Sequence, residues 1–583
     1  MTNIMVILLF TFLLFNFWDI QIIKHHHFKL LSQKNIFREI EIKAPRGIIV
    51  DRNQTILAEN KLDFSLFIFK ENIKNLQETI EKAHLITGLD QQSIKNRMGK
   101  YEHSRASIRI LLKKNLSLKE VVYIQSRALE FLEFEIEIEP TRTYPFQQHA
   151  SHILGYVSEI SSMELKLNEN QNYKPGDEIG KSGIEKQYEH FIRGKKGTQV
   201  VIKDSFGRIQ KQVSEKKPEI GSKIILTIDI ELQKYIEDIL KPHKGCIGVV
   251  ELPSGEILSL VSKPNFNPEK FTTLIETKDW NTLINDPEKP LHNKFTQGLY
   301  SPGSVFKIVM ALGGLQEKII THSTRTFCSG STWIYNRTFH CWTSFGHGLM
   351  NLTDALKNSC NIYFYTLGKK MDINTIDKYA RLLGLGKKTR IGLPNEKSGL
   401  VPSPAWKASQ LNQKWFPGET ISVSIGGGLL NVTPAQILQL ISTVALKGNL
   451  PQLHLIRGIE NRGKIIGKFQ PRFNKIPVEK KYFDAVIRGL FKVVNDNGTG
   501  RAAAVPGLDI CGKTGTQQII SKENPDYRRL RKLKRFTPHS WFASFAPRNN
   551  PRYAVVVFVE HGGDAGEVAA PIAARIYKKL FQP

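Results

Sequence analysis

The chain contains 583 residues and has a formal net charge of +28 at pH 7. A chain of this length is too long for a single ordinary hydrophobic core, so we expect at least two domains. The positive charge would suit a nucleic-acid-binding protein, but Lys and Arg are spread along the whole chain without a zinc-finger, RNA-recognition or helix-turn-helix pattern. We therefore predict no nucleic acid partner and interpret the charge as affinity for anionic surfaces.

The N-terminal segment 1–23 is predicted to be a transmembrane anchor. It is almost wholly apolar from Ile4 to Trp18, and its continuation to Ile23 reaches the roughly 20 residues that a bilayer requires. A cleaved signal peptide is the alternative, but the segment lacks a basic leading region and an Ala-x-Ala cleavage site. A count of positive charges would keep the body of the protein in the cytoplasm, because the anchor is followed by Lys24, Lys29, Lys34 and Arg38. Large translocated domains escape that count, and the chemistry expected of the C-terminal domain places the body outside the cytoplasmic membrane.

Residues 24–218 are predicted to form a non-catalytic α+β domain. Short strand-like segments alternate there with amphipathic helices, such as the one expected over 76–86, and no plausible nucleophile constellation accompanies them. The best linker signal is Lys216-Lys217-Pro218-Glu219-Ile220-Gly221, since Pro and Gly interrupt regular structure. We therefore place the start of the second domain at 219.

Residues 219–583 are predicted to form a second α+β domain. A strand signal at 224–230, a helix at 231–240 and a hairpin at 245–251 and 255–261 begin it. Helices then dominate until a strand at Tyr553–Val559 and a closing helix at 569–580. Strands at both ends of a helical middle predict an antiparallel sheet covered by helices.

Ser304-Val305-Phe306-Lys307 has the spacing of a serine nucleophile and its base. Ser304 follows a Pro-Gly turn and opens an apolar run, which predicts a buried helix beginning at Ser304. Two residues three apart share one helix face, so the amine of Lys307 can reach the hydroxyl. Burial, the helix dipole and a second cation from Lys513 would lower the pKa of Lys307 and make it a general base. Ser214-Glu215-Lys216-Lys217 has the same spacing but no apolar face, and we interpret it as a chance match.

Ser359-Cys360-Asn361 is a second candidate motif, within a helix predicted over 352–365. Its hydroxyl could relay a proton and its amide could hold a substrate peptide group. The alternative is a helix N-cap or turn, because Ser and Asn are ordinary capping residues.

A cluster of cysteines surrounds this second motif. Cys328, Cys341, His347 and Cys360 could supply the four ligands of a structural zinc site, and His340 could replace His347. A disulfide between Cys328 and Cys341 is the alternative outside the cytoplasm, and it would leave Cys360 as a free thiol. The remaining two of the five cysteines, Cys246 and Cys511, lie in apolar strands and are expected to be inert.

The third candidate motif is Lys513-Thr514-Gly515-Thr516, which follows an apolar strand expected over 508–512 and precedes another over 541–545. Its ammonium and hydroxyl groups could bind a substrate carboxylate, and the backbone N–H groups of Ser304 and Thr516 could form an oxyanion hole. A basic hairpin edge is the alternative, which the order of all three motifs disfavours. Together the motifs predict acyl transfer through a covalent serine ester. A basic run at 528–535 lies between the two strands and is either a solvated face or a contact for anionic lipid or polymer.

Penicillin-binding proteins and class A β-lactamases carry this set of motifs. The chain resembles the class B penicillin-binding proteins from end to end. Gln297-Gly298-Leu299-Tyr300-Ser301-Pro302-Gly303 and Gly346-His347-Gly348 favour the elongation type over the division-specific type. Further matching segments are Ala44-Pro45-Arg46-Gly47, Asp51-Arg52-Asn53, Arg142-Thr143-Tyr144-Pro145, Leu154-Gly155-Tyr156-Val157, Gly180-Lys181-Ser182-Gly183-Ile184-Glu185-Lys186-Gln187-Tyr188 and Leu226-Thr227-Ile228-Asp229.

The chain departs from the family pattern at one place near the site. The family commonly has Gly-Gln-Gly before an Asn-x-Thr-Pro run, whereas this chain has Gly426-Gly427-Gly428 before Asn431-Val432-Thr433-Pro434. The backbone turn should survive this change, but any contact of the glutamine side chain would be lost.

The resemblance implies a penicillin-binding transpeptidase fold on an elongated pedestal that carries partner contacts. It also implies a peptidoglycan D,D-transpeptidase in which Ser304 attacks a D-Ala-D-Ala stem peptide, releases D-alanine and passes the acyl group to the amine of a neighbouring stem. β-Lactams would acylate the same serine, and the chemistry would require no cofactor. Glycan polymerisation would come from a polytopic membrane glycosyltransferase acting with other cell-elongation proteins. The alternatives are a division-specific transpeptidase, or a β-lactam sensor or hydrolase on the same fold.

Overall fold

The computed structural model describes residues 2–26, 29, 37–99, 101, 109–203, 209–272, 277–520, 526–530 and 533–582. At the N-terminus, an α-helix at Thr2–Trp18 continues into a π-helical turn at Asp19–Ile23. Within it, Ile4–Ile23 is a helix of 20 residues with a mean hydropathy of 2.0, and it is not packed against the rest of the chain. This helix is long and apolar enough to cross a membrane, as the anchor prediction requires.

Two sheets build the region after the anchor. One has three antiparallel strands in the order Phe37–Ile42, Gly197–Lys203, Ile209–Lys216. The other has seven strands, in the order Lys464–Lys468, Ile456–Asn461, Lys223–Leu226, Ile49–Val50, Ile56–Phe69 and Arg109–Lys113, with Phe134–Thr143 also pairing the long strand Ile56–Phe69. Because this sheet contains strands from both halves of the chain, it joins the expected pedestal to the expected catalytic domain. The domain boundary at 218 stays a prediction.

Helices cover the far end of the seven-stranded sheet. The helix predicted over 76–86 is confirmed as Leu76–Thr87, capped by Asn75, whose side-chain oxygen accepts the N–H of Gln77 at 3.1 Å. Ile80 and Ala83 of this helix are buried against Leu66 and Ile68 of the sheet. The other helices of this region are Gln91–Gly99, Leu118–Ser126, Ser151–Leu154, Ser162–Leu167, Gly183–Gln187 and Glu189–Ile192, and a short strand pair joins Val157–Glu159 to Glu178–Gly180.

A buried ion-pair network lies beneath these short helices. The Glu185 carboxylate accepts hydrogen bonds from Arg46 Nη2 and Arg142 Nε, both at 2.7 Å, and its side chain is 0% exposed. Arg46 also binds Glu189 at 2.7 Å. Arg46, Arg142 and Glu185 come from three of the segments that carry the family resemblance, so those segments meet in one place.

The second predicted domain, 219–583, contains a five-stranded antiparallel sheet. Its order is Ile257–Lys263, Gly245–Glu251, Tyr553–Val559, His539–Ala546, Cys511–Gln517, so strands from both ends of the domain pair side by side. The predicted α+β architecture is therefore confirmed. Helices Ile230–Leu240 and Ala569–Phe581 pack on one face of the sheet, through a core that includes Ile236, Val557 and Ile576.

The other face of the sheet packs against the helical middle of the domain. Its core includes Ile308, Leu438 and Phe558, and it surrounds the segment that carries Ser304. The helices are Thr277–Ile284, Lys307–Gln316, Leu352–Lys357, Asn361–Lys370, Ile373–Leu382, Pro404–Leu411, Pro417–Val423, Pro434–Ala445 and Lys480–Asn495. Short strand pairs join Thr326–Cys328 to Gly348–Met350, Ser331–Ile334 to Arg337–His340, and Asn449–Pro451 to Phe473–Lys475.

Three sequence predictions need correction or restriction. The single helix expected over 352–365 is wrong, since two helices, Leu352–Lys357 and Asn361–Lys370, are separated by the second motif. The strand expected over 508–512 begins only at Cys511 and runs through the third motif to Gln517. Of the basic run at 528–535, Arg531 and Lys532 lie outside the described residues, and the described part includes an exposed Arg529.

Candidate active site

Ser304 lies at the start of a buried helix. Gly303–Phe306 forms a 3-10 turn, and the α-helix Lys307–Gln316 follows it without interruption. The predicted helix is therefore present, with its first turn wound more tightly than an α-helix. Ser304 is partly exposed, whereas Lys307, one turn further along, is 0% exposed. The candidate nucleophile is thus accessible, and its proposed base is buried.

The triple glycine supports the backbone of this turn. Gly303 N–H donates to Gly426 O at 3.1 Å, and Ser301 Oγ donates to the same oxygen at 2.8 Å. Gly426 has a φ of +79°, and a Cβ on it would lie 2.0 Å from Gly303 O. Only glycine fits this approach. The backbone turn expected at Gly426-Gly427-Gly428 is therefore present.

The amine of Lys307 contacts the second motif. Lys307 Nζ donates to Asn361 Oδ1 at 2.7 Å, to Ser359 O at 2.8 Å and to Ser359 Oγ at 3.3 Å. Asn361 therefore orients the amine through its side-chain oxygen.

The amine of Lys513 reaches the same hydroxyl from the opposite side. Lys513 Nζ donates to Ser359 Oγ at 3.0 Å and to Thr514 O at 2.9 Å, and the residue is 0% exposed. Lys513 is therefore a buried side chain, and the choice between a carboxylate-binding motif and a basic hairpin edge stays a prediction. Ser359 Oγ lies between two buried amines and connects the first motif to the third.

Burial disfavours the charged form of both amines. It lowers the pKa of Lys307 to about 8, against the opposing effect of the Cys360 and Cys341 thiols. Burial, and then the charge of Lys307, hold the pKa of Lys513 well below its usual range. Two ammonium groups that share one hydroxyl repel each other, so the pair favours a state in which one amine is neutral.

The second motif lies in the break between two helices. Ser359 has a φ of +50°, and Asn361 begins the following helix with Cys360 as its N-cap residue. The preceding helix is capped at its N-terminus by Asn351. Neither Ser359 nor Asn361 is therefore the N-cap of a helix, but Ser359 does lie in a turn, as the alternative interpretation also allowed. Because the backbone of Ser359 is in the left-handed region, its side chain leaves the chain in a different direction from that of a helical residue. Its hydroxyl lies between the two amines.

The third motif forms the outer strand of the catalytic sheet. Cys511–Gln517 pairs only with His539–Ala546 in the order of the five-stranded sheet, which leaves its other edge facing the nucleophile turn. A Cβ on Gly515 would lie 2.9 Å from Pro302 O, so the strand and the turn are in close contact. Thr516 is exposed and Thr514 is buried.

Thr499, which belongs to none of the three motifs, also lies at this strand. Thr499 Oγ1 is 2.7 Å from Thr514 Oγ1, and Thr499 N–H donates to Lys357 O at 3.3 Å. The signal available in the sequence was the Gly498-Thr499-Gly500 segment just after an amphipathic helix. A turn of this kind is common, so the pattern alone did not distinguish it.

The cysteine lobe, residues 326–350 together with Cys360, adjoins the second motif. The ligand atoms of Cys328, Cys341, His347 and Cys360 lie within 4.8 Å of one another. His347 Nδ1 is 3.5 Å from both Cys328 Sγ and Cys341 Sγ. The five cysteines are not bonded to one another in this structure, and the choice between a zinc site and a Cys328–Cys341 disulfide stays a prediction. His340 is not part of this group, and its carbonyl instead accepts a hydrogen bond from Asn361 Nδ2 at 3.4 Å.

The lobe contacts the second motif and the residue just before it. Asn361 N–H donates to Cys341 Sγ at 3.4 Å, and Trp342 Nε1 donates to Asn358 O at 2.9 Å. Hydrogen bonds from the Cys360 thiol, His347 and this N–H lower the pKa of Cys341, against the opposing effect of burial. A low pKa gives the thiolate, which is the form that ligates metal ions.

The comparisons with known proteins agree with this geometry. The model of the penicillin binding protein transpeptidase domain matches residues 245–578, and that of the penicillin-binding protein dimerisation domain matches residues 41–226. Peptidoglycan D,D-transpeptidase MrdA of Salmonella typhimurium is 32% identical over an alignment of 591 residues, gaps included. The alignment covers 99% of this chain and 94% of the relative.

Solved structures of penicillin-binding protein 2 have the same fold. The Helicobacter pylori protein in its complex with MreC has a TM-score of 0.80 and 28% identity, over 94% of this chain and 100% of its own. A chain from a peptidoglycan synthase complex, described as coordinating polymerization and crosslinking, has a TM-score of 0.71 and 28% identity, over 99% of this chain and 97% of its own.

Proposed function

The chain belongs to the penicillin-binding protein family, and on that premise we propose that it is a peptidoglycan D,D-transpeptidase of the MrdA type with Ser304 as its nucleophile. Ser304 attacks the penultimate carbonyl of a D-Ala-D-Ala stem peptide, D-alanine leaves, and the amine of a neighbouring stem takes the acyl group. The product is cross-linked peptidoglycan in the elongating wall. β-Lactams acylate the same serine and stop at the ester.

Lys307 acts as the general base toward Ser304. It is buried, has a lowered pKa and lies one helical turn from the nucleophile. Neutral Lys307 takes the hydroxyl proton as the Ser304 oxygen attacks. Its bond to Asn361 Oδ1 fixes the amine, and its bond to Ser359 Oγ gives the proton a path toward the leaving amine.

Lys513, Thr514 and Thr516 bind the terminal carboxylate of the substrate. An arriving carboxylate favours the charged form of Lys513, so in the complex the neutral amine of the pair is Lys307. The backbone N–H groups of Ser304 and Thr516 form the oxyanion hole. The close contact between the Gly303 turn and the Thr516 backbone, where a Cβ on Gly303 would lie 3.4 Å from Thr516 O, supports this arrangement.

The observation that carries the proposal is the connected series of Lys307, Ser359 and Lys513 beside Ser304. Labelling with fluorescent penicillin tests it: Ser304→Ala should abolish the covalent adduct, and Ser214→Ala, at the chance match, should leave it unchanged. Label that persists in Ser304→Ala would show that another residue is the nucleophile.

A hydrolase on the same fold is the competing function. The rate at which the fluorescent signal decays distinguishes the two, because a transpeptidase holds the adduct and a hydrolase releases it. Rapid loss of the signal would therefore contradict the proposal.

The apolar helix Ile4–Ile23 anchors the protein in the cytoplasmic membrane as a single span, with the pedestal and catalytic domain on the outer side. The proposed substrate supports a location on the outer side of the membrane, since cross-linking takes place in the cell wall. The sequence offers no constellation for a second activity, so glycan polymerisation comes from a polytopic membrane glycosyltransferase. Related chains occur in a complex with MreC and in a peptidoglycan synthase complex, which supports partners of this class.

The cysteine lobe holds a structural zinc ion in this proposal. Ligand atoms bonded to one tetrahedral zinc at about 2.0–2.3 Å lie less than about 4 Å apart, close to the spacing of these four groups. Three sulfur atoms and one imidazole nitrogen form a closed set with no open position for substrate. The ion takes no part in the acyl transfer, and it fixes the lobe against Asn361.

A further inference from the structure

Thr499 joins the elements that carry the second and third motifs. Its backbone N–H donates to Lys357 O, two residues before Ser359, and its hydroxyl lies 2.7 Å from that of Thr514. Thr hydroxyls after a helix usually bind nearby backbone groups. This one instead binds a side chain on a strand 15 residues away in sequence.

The hydroxyl pair has two possible directions, because either oxygen can be the donor. Each hydroxyl has a single proton to donate and two lone pairs that accept. An ionised carboxylate only accepts hydrogen bonds. If Thr514 binds a carboxylate, its proton must point to that group, and the hydrogen bond between the threonines must then come from Thr499.

The loop around Thr499 is fixed on several sides. Lys357 forms an ion pair with Asp496 at 3.0 Å, and Asn495 Nδ2 donates to Ile510 O at 2.8 Å, just before the third-motif strand. Gly500 N–H donates to Val493 O at 3.0 Å, which holds the loop to its own helix. The Thr499 hydroxyl is therefore placed by backbone that cannot easily shift away from Thr514.

We infer that Thr499 is a positioning residue for carboxylate recognition, donating to Thr514 so that the Thr514 hydroxyl donates to the terminal carboxylate of the stem peptide or of a β-lactam. The inference rests on the proposed function. Hydrogen bonds in series strengthen one another, so the contact of Thr514 with the anion gains from the donor behind it. Thr499 itself does not touch the substrate.

The test uses the full-length protein in detergent and two probes, benzylpenicillin and its methyl ester, which lacks the anionic carboxylate. The acylation rate constant of each is measured by competition with fluorescent penicillin. Thr499→Val keeps the shape of the side chain and removes the donor, so benzylpenicillin should react about five- to tenfold more slowly, as expected for one net hydrogen bond. The methyl ester should change by less than about twofold, because the bond has no anion to support.

Thr499→Ser restores the donor and should return benzylpenicillin to within about twofold of the original rate. An equal fall for both probes in Thr499→Val would show that the residue only supports packing, and an unchanged rate for both would show that its hydroxyl is not used. A protein that neither probe acylates would overturn the proposed function itself, which separates the two failures.

Discussion

At the scale of single residues, Ser359 Oγ determines how the site is connected. It accepts hydrogen bonds from two buried amines, at 3.3 Å from Lys307 and 3.0 Å from Lys513. A hydroxyl has two acceptor lone pairs, so both are engaged and its own proton is free to point toward the substrate.

The spacing of Ser304 and Lys307 made the first motif predictable, because three residues are about one helical turn. The meeting of Lys307 with Asn361 was not predictable, because it depends on how two distant helices pack.

The pH dependence of acylation should follow the ionisation of Lys307. Its pKa of about 8 lies below the ordinary lysine value, and only the neutral amine accepts a proton. The acylation rate should therefore rise with pH through about 8 and level off above it. Stopped-flow measurement of penicillin acylation would follow the rise from about pH 6 to about pH 10, a range that extends about two pH units on each side of this pKa.

Lys307→Ala should slow acylation by about a thousandfold and remove the inflection, as expected for loss of a general base. Lys369→Ala, at an exposed lysine on the helix that begins with Asn361, is the matched control and should keep both the rate and the pH profile. A pH inflection that survives in Lys307→Ala would mean that another group takes the proton.

At the scale of the elements, the regular segments were predictable and the irregular one that carries function was not. The strand Tyr553–Val559 has the predicted bounds, because a continuous apolar run between polar turns leaves little choice. The segment 352–365 has equally helical residues on both sides of the second motif, so the sequence predicted one helix. Tertiary contacts override that preference: Trp342 binds Asn358 O, and Cys341 Sγ accepts from Asn361 N–H. These contacts come from the cysteine lobe, which has no regular repeat in sequence.

Removing the zinc ion that we propose for the cysteine lobe should loosen the break between the helices Leu352–Lys357 and Asn361–Lys370. Purified protein should contain about one zinc ion per chain, as a closed four-ligand site requires. Cys341→Ser and His347→Ala should lower the zinc content, measured by atomic absorption, and lower the melting temperature, because metal binding is coupled to folding. Acylation should slow in both variants, since Cys360 lies between Ser359 and Asn361.

Cys246→Ala is the matched control for these variants, because this buried cysteine lies in the catalytic sheet away from the lobe. It should keep the full zinc content even where the cavity lowers stability. Fully active protein that contains no metal, or that contains a Cys328–Cys341 disulfide by mass spectrometry, would contradict the zinc proposal.

At the scale of the whole molecule, the pedestal and the catalytic domain share a sheet, but all three motifs lie in the catalytic domain. The seven-stranded sheet combines Ile49–Val50 and Lys223–Leu226 with Ile456–Asn461, so the two regions are joined through backbone hydrogen bonds. The three motifs all lie on the catalytic side, in the five-stranded sheet and the helices packed on it. Three of the pedestal segments that resemble the family instead meet at Glu185, where charges are buried without access to substrate. Their sequence pattern indicated the family, although they contribute none of the three motifs.

Glu185→Gln should separate stability from catalysis. Burial by itself would raise the pKa of Glu185, but Arg142 and Arg46 outweigh it and hold the pKa below its usual value, so the carboxylate stays charged. The amide would leave Arg142 buried without a counter-ion, and loss of one partner of a buried pair costs about 3–5 kcal/mol. The melting temperature of the full-length protein should fall, whereas the fraction that remains folded at low temperature should react with penicillin at the original rate. Glu81→Gln, on an exposed helix position of the pedestal, should change neither.

Because the pKa of Glu185 is lowered by folding, the contribution of its carboxylate to stability is present above the ordinary carboxyl pKa and is lost as pH falls below it. The difference in melting temperature between Glu185→Gln and the parent should therefore shrink in acid. A folded Glu185→Gln protein that had lost acylation would show instead that the pedestal network determines the geometry around Ser304.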